Sequence, residues 1–154
     1  MHYGKIYGSG RERRVKIREA YPIFLAVLYF IQTVLTTFPF MQGEVDEGFA
    51  YITAFNMLIQ NNGYGEKGDF MLVIVGAVLV IFPMVAFFFC LLDKKSKKKY
   101  LVSALCCVAC AIVITFGIGA MIAIGAVITL IFNVIGLFMT MQGYQATRMR
   151  ENAS

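Results

Sequence analysis

The chain has 154 residues, of which 59% are hydrophobic and 15% charged, with a mean hydropathy of +0.72. A soluble domain carries about 45–50% apolar and about 25% charged residues, so this excess cannot be buried in a core of such size and much of it must face lipid. The formal net charge is +5, yet the basic residues flank apolar runs and form no aromatic-interleaved patch, which argues against nucleic acid and for a membrane surface with anionic headgroups.

In chain order, residues 1–20 form a basic N-terminal tail containing Lys5, Arg11, Arg13, Arg14, Lys16 and Arg18. The apolar run 21–40 follows. Its length, about 20 residues, matches a hydrocarbon core about 30 Å thick at about 1.5 Å per residue. A cleaved signal has a shorter apolar region, about 7–15 residues, and ends on a small-x-small site. This run ends Thr37-Phe38-Pro39-Phe40, so it reads as a retained anchor.

The segment 41–69 joins the first span to the second. Within it, Phe49, Ile52, Phe55 and Ile59 recur at helical spacing, with Thr53, Asn56 and Gln60 on another side. This predicts a short amphipathic helix over 49–60, too short to span and lying on the outer leaflet or over the bundle. The residues Asn61-Asn62-Gly63-Tyr64-Gly65 predict a turn after it.

The second span is 70–92, uncharged and bounded by Asp69 and Asp93. Pro83 lacks a backbone donor and predicts a kink. The inner loop 93–99 carries Lys94, Lys95, Lys97, Lys98 and Lys99. Apolar sequence then runs without interruption from Tyr100 to Met141, about twice the length of a span. Gly117-Ile118-Gly119 is where the backbone restriction is lowest, which predicts a tight hairpin between helices at 100–116 and 120–142. Residues 143–154 form a C-terminal tail. The predicted fold is an all-α four-helix transmembrane bundle, its membrane domain covering 21–142.

Lysine and arginine counts set the orientation. The N-terminal tail, the 94–99 loop and the C-terminal tail (Arg148, Arg150) are basic, whereas the segment between helices one and two holds only Lys67. Four spans place all three basic regions on the cytoplasmic side of a multi-pass cell-membrane protein. Arg11, Arg13, Arg14, Lys94, Lys95, Lys97, Lys98 and Lys99 are then candidates for binding anionic lipid.

No span contains Asp, Glu, Lys, Arg or His, and the sole histidine is His2. Proton relays and charged-substrate pathways need such groups, so neither an enzyme nor a metal or other cofactor is expected. Glycines near the N-terminus are not preceded by a strand or followed by GK[ST], which excludes a phosphate loop. The four cysteines invite comparison with membrane thiol oxidoreductases of the vitamin K epoxide reductase type, which carry their cysteines at the outer face. Here Cys90, Cys106, Cys107 and Cys110 all fall within helices and the outer segment has none. They read instead as small packing residues.

Packing candidates follow from spacing. Ser103, Cys107 and Ala111 recur at intervals of four. Gly125, Thr129, Asn133, Gly136 and Thr140 form a small and polar face on the last helix, the composition that lets helices associate in lipid. Gln32 and Asn133 lie at similar depth, roughly 15 Å from the inner surface, which permits a hydrogen bond between them. Gln32, Thr36, Ser103, Cys107, Gly125, Thr129, Asn133 and Gly136 are therefore the helix-packing or polar-lining candidates. The function expected is non-enzymatic: contact with a membrane-protein partner or a second copy, as an accessory subunit, assembly factor or homo-oligomer. The alternative is a transporter or channel component for a neutral or apolar solute. A thiol oxidoreductase based on Cys107 and Cys110 is the third reading.

Overall fold

Long apolar runs form helices because a backbone in hydrocarbon must satisfy its own hydrogen bonds. The computed structural model describes residues 6–45, 48–59, 70–93 and 97–152. The elements are α1 (Ile6–Leu35), β1 (Pro39–Val45), β2 (Gly48–Thr53), α2 (Ala54–Leu58), α3 (Phe70–Leu92), α4 (Lys98–Val113) and α5 (Ile124–Glu151). A π turn at Ile114–Ile118 and a 3-10 turn at Gly119–Met121 continue α4.

Three stretches, Phe70–Leu92, Lys98–Met121 and Ile124–Met149, are long and apolar enough to cross a membrane. The apolar part of α1 is shorter, Ala20–Leu35. Only 33% of the apolar window of each long stretch is buried, so these helices leave large apolar side chains on the outside of the bundle. The four long helices pack in a ring: α1 lies against α3 and α5, and α4 against the same two. One core cluster, around Leu25, Tyr29, Ala86, Tyr100 and Cys107, fills the end near Lys97. A second, around Phe40, Ile52, Met57, Leu79 and Ile114, fills the end near the α4–α5 turn.

The segment between α1 and α3 differs from the amphipathic helix predicted over 49–60. Its first part is a strand: β1 and β2 pair antiparallel, with Met41 opposite Ile52 and Gly43 opposite Ala50. Among the described residues of this segment, helix is confined to Ala54–Leu58, where the Thr53 hydroxyl accepts the Asn56 N–H at 3.0 Å and caps the first turn. The strand buries Ile52 and leaves Tyr51 exposed, a period of two that the helical reading of the same residues does not allow. The turn predicted at 61–65 lies outside the described residues.

This hairpin is a cap seated on the helix ends. Met41 bridges to Ile122, and the Ala123 N–H donates to the Phe40 carbonyl at 3.0 Å. The Phe55 N–H donates to the Thr36 carbonyl at 3.3 Å, joining α2 to the end of α1. Against α3 the fit is closest at Gly76, where an added Cβ would lie 2.5 Å from the Leu58 nitrogen and 2.9 Å from the Ala54 carbonyl oxygen.

Other boundaries also differ. α1 begins at Ile6, so helix extends far into the segment read as a tail, and it ends at Leu35, ahead of Pro39. The α4–α5 turn includes Gly119 at φ +57°, a left-handed conformation. α5 starts at Ile124 rather than 120 because Ile122 is extended to meet β1. It then continues to Glu151, through residues read as a tail. Pro83 is buried inside α3, which continues past it to Leu92.

Candidate functional site

The polar side chains of the helices converge on a seam inside the bundle. α1 and α5 run antiparallel along it, so residues later in α1 face residues earlier in α5. Gln32 and Asn133 meet there: the Gln32 Nε2 donates to Asn133 Oδ1 at 3.0 Å. Both residues are only 1% exposed. One turn nearer the cap lie Thr36 and Thr129, also buried. The Thr36 hydroxyl donates back to the Thr33 carbonyl at 2.6 Å, using its hydrogen within its own helix.

One turn in the other direction, Tyr29 reaches across the ring from α1 to α4. Its hydroxyl donates to the Ser103 carbonyl at 3.1 Å, contacts the Ser103 hydroxyl, and lies 3.1 Å from Cys107 Sγ. Ser103 Oγ in turn lies 2.9 Å from Thr140 Oγ1 on α5. Three helices are thus joined by one chain of hydroxyls, each able to donate one hydrogen and accept another. Gly136 makes room for it, since a Cβ there would stand 3.0 Å from Cys107 Sγ and 3.8 Å from the Tyr29 hydroxyl.

Among the packing candidates, Gln32, Thr36, Ser103, Cys107, Thr129, Asn133 and Gly136 all line this seam and are buried. Gly125 is buried elsewhere, under the cap, where a Cβ would lie 2.6 Å from the Pro39 carbonyl oxygen. Tyr29 is the central residue that sequence reasoning missed. The signal was a phenol in the middle of an apolar run, three residues before Gln32 and so on the same helix face.

Three seam atoms have no hydrogen-bond partner: Gln32 Oε1, Asn133 Nδ2 and Thr129 Oγ1. They comprise a carbonyl acceptor, an amide donor and a hydroxyl on adjoining turns of α1 and α5. Burying such groups unpaired costs roughly 1–3 kcal/mol each. The four cysteines are buried free thiols, and Cys107 is tied to Tyr29 rather than to Cys110. Among the described residues no group of three or more His, Cys, Asp or Glu is placed to hold a metal ion.

Compared with known proteins, the chain matches no family model, no curated protein and no solved structure.

The basic candidates separate. Arg11, Arg13 and Arg14 belong to α1, but their side chains lie outside the described residues, as do Lys94 and Lys95 altogether. Lys98 is exposed, and Lys97 Nζ lies 5.9 Å from the centroid of the Tyr144 ring. Lys99 does not face outward as its place in the basic run suggests. It is 5% exposed, its Nζ donates to the Asp93 carbonyl at 2.8 Å, and it sits 5.4 Å from the Tyr100 ring centroid. A cation on the last carbonyls of a helix is favourable, so Lys99 fastens the end of α3 to the start of α4.

Proposed function

We propose that this chain is a four-span protein of the cell membrane, with α1 as the fourth span, and that it acts without catalysis by contacting a partner protein or further copies of itself. The apolar part of α1 covers only about 24 Å. Its neighbours set its depth, however: Tyr29 is level with Ser103, and Gln32 with Asn133. Its outer face carries Phe24, Val27, Phe30, Ile31 and Val34, all exposed, which suits lipid. A span slightly shorter than the bilayer is accommodated by local thinning or snorkelling at a modest cost. The lysine and arginine distribution supports cytoplasmic termini and a cytoplasmic Lys97 end, where anionic headgroups attract basic side chains.

The observation that carries the contact reading is on the cap. Tyr51, Phe55 and Ile59 are 59%, 48% and 50% exposed, on a structure seated over the ends of α1 and α5 and against the side of α3 at Gly76. Large apolar side chains exposed together on such a cap mark an interaction surface. The small-residue faces of α4 and α5 are not that surface, because they are buried in the chain's own bundle. Mild-detergent purification with mass measured by light scattering tests the reading. The wild-type chain is expected in a complex or homo-oligomer, and a Phe55→Ser/Ile59→Ser variant as a 17.2 kDa monomer of unchanged thermal stability. A wild-type chain that is alone and monomeric contradicts it.

A second reading has its own support. The unpartnered Gln32 Oε1, Asn133 Nδ2 and Thr129 Oγ1 are the groups a neutral hydrogen-bonding solute would use on a path through the bundle. Flux of such a solute in proteoliposomes, abolished by Gln32→Leu/Asn133→Leu, would favour it. Flux unaffected by that change removes it.

A further inference from the structure

A concave feature opens on the outside of the bundle and reaches the seam at Thr140. Between the Lys97 ends of α4 and α5 runs an open groove of about 410 Å³ lined by Lys97, Tyr100, Leu101, Ala104, Met141 and Tyr144, with Lys98 and Thr140 completing it. Its volume falls within the range of about 300–1,000 Å³ typical of ligand sites. Two small residues create it. A Cβ at Gly143 would lie 2.4 Å from the Tyr100 ring, so the ring settles against α5 and forms the floor. Ala104 then leaves the next turn of α4 low. Leu101 and Met141, 63% and 61% exposed, stand as outward-facing walls.

The groove is chemically divided along its length. Its inner part is apolar and opens sideways, toward the region that surrounds the helices. Its mouth carries Lys97 and Lys98, with Lys97 Nζ above the Tyr144 ring. Tyrosine and lysine are the residue types that settle at headgroup level. A peptide or soluble anion would match the mouth but not the lipid-facing walls, and a sterol would match the walls but not the two ammonium groups.

We infer that the α4–α5 groove is a binding site for one anionic phospholipid, an acyl chain lying between Leu101 and Met141 over Ala104 and the headgroup phosphate meeting Lys97 and Lys98. This rests on the proposed reading that the Lys97 end lies at a membrane surface, and it assigns a place and two recognition elements to what is otherwise diffuse attraction.

The test is native mass spectrometry of the full chain released from detergent with phosphatidylglycerol or phosphatidylcholine added, and with inorganic phosphate as the soluble control. One phosphatidylglycerol is expected to be retained in preference to phosphatidylcholine, with phosphate not retained. Lys97→Gln/Lys98→Gln is expected to weaken retention by about tenfold or more, and Ala104→Phe to abolish it by filling the groove. The surface lysine variant serves if Ala104→Phe does not fold. Equal retention of both lipids, retention of phosphate alone, or phosphatidylglycerol binding unchanged by the lysine substitutions overturns the assignment. Carbonate extraction of native membranes separates this from the underlying reading: a chain that resists extraction but shows no lipid preference loses only the groove site, whereas an extractable chain loses both.

Discussion

At Gln32 and Asn133 the interior chemistry reduces to a single amide pair. The sequence places both at similar depth in apolar runs free of charge, and that was enough to bring them together. It could not show that each retains an unpartnered atom, because that depends on how the two amides are angled. Nor could it show the partners of Tyr29, whose reach across the ring depends on the small size of Gly136 on a different helix. Coupling between the two amides is measurable by a double-mutant cycle. Gln32→Leu and Asn133→Leu are each expected to destabilise the detergent-solubilised bundle, and the double variant by less than their sum. The expected interaction energy is about 0.6–1.7 kcal/mol, read from reversible denaturant unfolding. Strict additivity would mean that the hydrogen bond contributes nothing.

Among the elements, the long helices were legible and the cap was not. Runs such as 70–92 have too many consecutive apolar residues for any other reading, and their structural limits, Phe70–Leu92 for α3, follow hydropathy. Over 49–53 the residues Phe49, Tyr51, Ile52 and Thr53 are β-branched or aromatic, a strand signal that a short window cannot separate from helical spacing. Pro39 was a further clue, since helices usually end before the residue preceding a proline, and α1 ends at Leu35. Lys99 shows the same limit: charge alone grouped it with Lys97 and Lys98, while its position beside the last carbonyls of α3 turned it inward. The cap's seat on α3 depends on Gly76. Gly76→Leu is expected to destabilise by about 1–3 kcal/mol, because the atoms it meets are backbone of Ala54 and Leu58 and cannot rotate away. Protease cleavage within the cap should accelerate in that variant. Unchanged cleavage and stability would show that the cap does not rest on this face.

For the molecule as a whole, the two cores and the seam divide the bundle by level. The cap closes one end, hydroxyls and amides join three helices in the middle, and the Lys99 contact ties α3 to α4 at the other. Tails read from polarity continue α1 and α5 as helix, because amphipathic and basic sequence supports helix once a packed segment has nucleated it. Single-cysteine labelling with a membrane-impermeant maleimide, in a background where Cys90, Cys106, Cys107 and Cys110 are alanine, tests the four-span arrangement most directly. Tyr51→Cys is expected to label in intact cells, and Arg11→Cys, Lys97→Cys and Asn152→Cys only after permeabilisation. Labelling of Arg11→Cys in intact cells, with Lys97→Cys still protected, would put the start of α1 on the same side as Tyr51 and contradict α1 as a span.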